Sequence, residues 1–121
     1  MHLVTAADHA DRAVARGSTA LDELADAITR AEEAGIDVED AWEYHEQAVR
    51  HLDAASAAVG DTATAVLGVT PENFNAGPGR EVLAAARHDL RTAADELKQA
   101  WDAAHAAVEA LRDAISDAAT A

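Results

Sequence analysis

The chain has no cysteine, two prolines, six glycines, four aromatic residues and one lysine. Without cysteine there is no disulfide framework, no thiolate nucleophile and no cysteine metal site. The aromatics are Trp42, Tyr44, Phe74 and Trp101, too few for a stacking platform. No basic stripe or zinc-finger spacing accompanies them, and eight Arg plus Lys98 stand against 23 acids. The net charge of -14 would repel phosphate backbones and anionic bilayers, so direct nucleic-acid and membrane partners are not expected. No run approaches 18 apolar residues, and Met1 to Ala10 lacks a basic region followed by an apolar stretch. A cytoplasmic protein is the expectation, and export would require a route without a cleaved signal.

Alanine is abundant: 34 of 121 residues. It is the best intrinsic helix former, and its small side chain lets helix axes approach towards about 8 Å. Each buried alanine removes less apolar surface than a leucine, whose burial contributes roughly 1.5 to 3 kcal/mol. Close packing has to substitute for bulk.

Arg80 to Ala121 contains neither Gly nor Pro. Leu83, Leu90, Leu97, Ala104, Leu111 and Ala118 recur every seventh residue, and Ala86, Ala93, Ala100, Ala107 and Ala114 follow three behind. Alternating steps of three and four predict one long helix with an apolar seam, widened by the column Trp101, Val108 and Ile115. Upstream, Val14, Leu21 and Ile28 keep one register across Gly17, which favours an unbroken first helix. Thr5 and Asp8 resemble a capping box at its start. Gly35 is placed as a left-handed C-cap and Asp37 as the next N-cap, with Ala34 to Asp37 a tight turn. The second helix reads Trp42, His45, Val49, Leu52, Ser56, Val59, Ala63 and Val66, in phase across Gly60. A capped turn at Thr70-Pro71-Glu72-Asn73, Phe74 tucked onto the bundle and a flexible Asn75 to Gly79 are predicted between the second and third helices. The expected fold is all-α: one domain over 1–121, an elongated antiparallel three-helix bundle with helices at about 6–33, 38–67 and 80–119 and a loop at 68–79. At 1.5 Å per residue the third helix spans roughly 60 Å and outlasts the others, so one end projects.

Three chemistries are weighed on their residues. Seven acids, Glu32, Glu33, Asp37, Glu39, Asp40, Glu43 and Glu46, occur with no Lys or Arg between them. Acids at a helix N-terminus complement its dipole, which accounts for Asp37, Glu39 and Asp40. The further reading is an acidic cap that docks on a basic partner. The spacing lacks the alternating ligands and central Gly of a calcium loop. Among the six histidines, only Asp102 and His105 form a pair three apart, with no second such element for a bundle metal centre. His45 on the seam reads as a hydrogen-bonded residue that fixes register. No nucleophile, base and orienting group coincide, and Asn75 to Gly79 matches no phosphate cradle. Neither an enzyme nor a cofactor is expected.

Size, acidity and Ala-rich helices are shared with the small helical-hairpin substrates of type VII secretion. Their Trp-x-Gly turn is missing: Trp42-Glu43-Tyr44 falls inside a predicted helix, and Ala48 stands four residues after Tyr44 where they carry an acid. The chain is not assigned to that family, and a secreted hairpin protein remains a third reading. The leading expectation is a non-enzymatic assembly protein that self-associates or binds a partner helix through Leu83, Leu90, Leu97, Trp101, Val108, Leu111 and Ile115. The second is an acidic inhibitor that mimics nucleic acid, docking through the Glu32 to Glu46 cap. Trp42 and Trp101 are expected as core anchors.

Overall fold

Good helix formers carry through the segments that the apolar periods mark. The computed structural model describes residues 3–67 and 78–120, with side chains described for 8–62 and 81–120. These residues form three helices: α1 (Leu3–Glu33), α2 (Glu39–Leu67) and α3 (Pro78–Thr120). The fold is an all-α bundle, and among the described residues no helix is long and apolar enough to cross a membrane.

α1 is continuous through Gly17. Ser18 and Thr19 do not restart it; the Thr19 hydroxyl donates back to the Ala15 carbonyl at 3.2 Å. The helix begins three residues before the expected start, so Thr5 lies within it rather than capping it. The turn is as expected. Gly35 adopts φ 85°, and the Asp37 carboxylate accepts the Glu39 N–H at 3.1 Å. α3 starts earlier than Arg80 because Pro78 takes a first-turn position, where its fixed φ suits a helix and no N–H is required. Pro78 and Gly79 are therefore helical, not loop. The capped turn at Thr70 to Asn73, Phe74 and Asn75 to Gly77 lie outside the described residues.

The most extensive packing is between α2 and α3. Ala86, Ala93 and Ala107 are 0% exposed and Ala100 is buried, as are Ala41, Ala48, Ala55 and Thr62 on α2. Both sets recur every seven residues. Thr62 donates to the Ala58 carbonyl at 2.9 Å and approaches the Ala86 carbonyl at 3.5 Å. Farther along, His51 meets Glu96, so the helices run antiparallel. Stepping by sevens from Thr62 and Ala86 sets Ala55 opposite Ala93, Ala48 opposite Ala100 and Ala41 opposite Ala107. Two alanine columns thus face each other along a helix pair.

This arrangement corrects the expected seam of α2. His45, Leu52 and Val59 lie on it, but the column beside them is Ala41, Ala48, Ala55 and Thr62, one residue earlier than Trp42, Val49 and Ser56. Ser56 is exposed, and the side chains of Ala63 and Val66 lie outside those described. Larger side chains would hold the axes apart, so the smallest ones occupy the contact line. On α3 the alanine column is central, and Leu83, Leu90 and Leu97 flank it half-buried.

α1 completes a three-helix core only with its C-terminal half, where Leu21, Leu24, Ile28 and Ala31 are buried against Ala48 and Leu52 of α2 and Ala100 to Leu111 of α3. No described side chain of α1 before Leu21 is buried. At Gly17 the approach to α2 is tight: a Cβ added there would lie 2.9 Å from Leu52 Cδ1.

Two stability measurements check this packing. Gly60 lies inside α2 with nothing within 4 Å of an added Cβ. Gly60→Ala should stabilise the protein by up to about 1 kcal/mol through helix propensity. Gly17→Ala should gain clearly less, because Leu52 has to move; equal gains in urea unfolding would refute the close contact. Ala93→Leu should cost about 1–3 kcal/mol by overpacking, whereas Leu at exposed Ala94 should be tolerated. A stabilised Ala93→Leu would show that the column is not the contact line.

Candidate interaction surfaces

The sequence-derived seam residues take three positions. Leu111 is buried in the three-helix core. Leu83, Leu90, Leu97 and Val108 are half-buried. Trp101 is 56% and Ile115 45% exposed, so Trp101 is not a core anchor. The physical reason is local: Ala103, two residues on and so on nearly the opposite face of the helix, is buried, which turns position 101 outward.

Trp101 stands at the mouth of an apolar cleft between α1 and α3 with a volume of about 180 Å³. Ala13, Gly17 and Ala20 line one wall, Leu97, Ala104 and Val108 the other, and Leu21, Leu24 and Leu52 lie deeper. His105 is the only ionisable residue in the lining, and its Nε2 lies 3.2 Å from Glu109 Oε1 one helical turn on. The cleft exists because α1 offers small residues here while α3 offers large ones. Its chemistry is that of a surface that excludes water from an apolar side chain.

The acidic cap divides into two parts. Asp37, Glu39 and Asp40 line a second groove, of about 680 Å³, together with Glu109, Asp113 and Asp117 of α3. Glu32, Glu33, Glu43 and Glu46 are exposed outside that lining. Glu32 accepts a long hydrogen bond of 3.4 Å from Trp42 Nε1, which fastens half-buried Trp42 across the α1–α2 turn. Sequence reasoning missed Glu109, Asp113 and Asp117. Their spacing of four residues on one helical face was a usable signal, but their nearness to the turn needs the register of α3 against α2.

The polar contacts between helices are structural. His45 Nε2 lies 2.9 Å from the Leu21 carbonyl. A carbonyl only accepts, so Nε2 carries the proton and the bond ties α2 to α1. The His45 ring also meets Trp42 edge-on, with centroids 5.5 Å apart. His51 Nδ1 and Glu96 Oε2, at 2.6 Å, link α2 to α3. Asp102 is exposed, and among the described residues no group of three or more His, Cys, Asp or Glu is placed to hold a metal ion. No family model, curated protein or solved structure matches the chain.

The His51–Glu96 contact is open to a direct test. Its side chains are 33% and 24% exposed, so solvent screens the pair. A double-mutant cycle with His51→Ala and Glu96→Ala should give a coupling of about 1 kcal/mol or less. A coupling well above 1 kcal/mol would show that the pair is shielded from solvent rather than screened by it.

Proposed function

We infer that the protein is a non-enzymatic helical interaction protein that binds a helix, from a second copy of itself or from a partner, along α3. The observation that carries this reading is the exposed Trp101 at the mouth of the apolar cleft. Trp101, Val108 and Ile115 are seven residues apart and form a stripe that α1 and α2 leave partly uncovered. The alanine columns of α2 and α3 satisfy one another within the chain, so the stripe beside them is what remains for a partner. An incoming helix would complete a fourth position in the bundle, with Trp101 as the aromatic anchor of the contact. Ala13, Gly17 and Ala20 on the opposite wall permit close approach.

Light scattering and Trp fluorescence test the reading. The mass should exceed that of a 12.6 kDa monomer as concentration rises, and Trp101 emission should shift to the blue in a Trp42→Phe background. Trp101→Ser should return the mass to monomer with helicity unchanged. A strict monomer at about 1 mM, where association of only about −4 kcal/mol is populated, would sink self-association. If a photo-crosslinking residue at position 101 then captured no protein from cells, the partner reading would fall as well.

A further inference from the structure

α2 begins at Glu39, and the last alanine pair of the helix contact is Ala41 with Ala107. α3 continues to Thr120, so among the described residues its final turns run past the start of α2 with no helix laid against them. Ala110, Ala114 and Ala118 recur every four residues on these turns, continue from Ala106 beside the start of α2, and with it line one groove. Ile36 and Tyr44 stand on the opposite side of the groove that these alanines make with the α1–α2 turn. The groove is rimmed on one wall by Asp37, Glu39 and Asp40 and on the other by Glu109, Asp113 and Asp117, and its lining contains no Lys or Arg.

Some of this charge is already used. Asp37 caps α2 through the Glu39 N–H, and Glu109 faces His105 at 3.2 Å. Among the described residues, Glu39, Asp40, Asp113 and Asp117 have no cationic side chain within 4.0 Å. We propose that this groove binds a basic amphipathic helix of a partner protein. The occupant follows from the complementarity of two features. A floor of alanines accepts a ridge of large apolar side chains, as small residues on one helix accept knobs from another. Carboxylates on both walls then meet Lys or Arg on either flank of that ridge, and the spacing of Glu109, Asp113 and Asp117 matches bases four residues apart on a helix. A basic segment without an apolar ridge would leave the floor wet. Nucleic acid would be repelled.

The proposal does not rest on the Trp101 cleft, because the two surfaces use different walls. A labelled peptide of about 18 residues, with Lys and Arg flanking a row of Leu at helical spacing, is long enough to cover Ala106 to Ala118 at 1.5 Å per residue. Titrated by fluorescence anisotropy against the full chain, it should bind, with amide shifts confined to residues 36–44 and 106–118. Asp113→Lys with Asp117→Lys, both exposed, should weaken binding about tenfold, and salt near 0.3 M should weaken the native complex several-fold. The charge-matched reversal of Asp22 and Asp26 on α1 should change binding by less than about twofold, which separates a local rim from net charge. Circular dichroism confirms that each variant folds. Absence of binding, equal binding of a scrambled peptide of the same composition, equal effects of the two reversals, or shifts that map to the cleft would overturn the proposal. The mass and the emission of Trp101 are measured without the peptide, so the reading of the cleft stands or falls separately.

Discussion

The rest of the structure depends on how closely α2 and α3 approach. Opposed columns of alanine, Ala41, Ala48 and Ala55 against Ala107, Ala100 and Ala93, leave no side chain long enough to hold the axes apart. Each contact contributes little by area, because an alanine methyl hides little surface. Their collective effect comes from backbone and methyl atoms meeting at van der Waals distance along the helix pair, where many weak dispersion contacts add. Thr62 occupies the fourth place of its column without leaving a buried polar group unpaired, because its hydroxyl donates to the Ala58 carbonyl one turn back. A helix pair this close has room for larger residues only at its flanks. Leu83, Leu90, Leu97 and Leu52 stand there.

That constraint decides what α1 can cover. A third helix has to fill the groove beside a narrow pair, and it does so where Leu21, Leu24 and Ile28 supply bulk. Farther towards the N-terminus α1 offers Ala13, Gly17 and Ala20, and the glycine lets Leu52 stay in place. These small residues leave the cleft in front of Trp101 unfilled. The exposed tryptophan is thus a consequence of the buried alanines: Ala103 and Ala107 face inward, and position 101, on the far side of the helix from them, faces out.

Much of this was legible in the sequence. Heptad spacing marked the buried face of α3, the common phase of Val14, Leu21 and Ile28 carried α1 across Gly17, and Gly35 with Asp37 placed the turn. The face of α2 was misread by one residue because Trp42 and Val49 are more hydrophobic than Ala41 and Ala48. Hydrophobicity ranks what gains from burial, whereas the contact line of a close pair selects for what is small. His45 was recognisable as a register residue, since a polar side chain on a seam requires a partner. The acidic groove was half visible. Asp37, Glu39 and Asp40 are neighbours in sequence, but Glu109, Asp113 and Asp117 join them only through the antiparallel register, which depends on Thr62 meeting Ala86 and His51 meeting Glu96.

The two proposed contacts should respond oppositely to salt, and this follows from a net charge of -14. Two copies of the chain repel each other, so contact through the apolar cleft works against like charge and is helped when ions screen it. A basic helix in the acidic groove is drawn in by the same field and is released when ions screen it. At low ionic strength the charge therefore favours an unlike, basic partner over a second copy. The apolar cleft is small enough, and the surrounding surface acidic enough, that self-contact would require a specific fit at Trp101. Acidity here does not select a fold. It would set which of the two proposed contacts is made first.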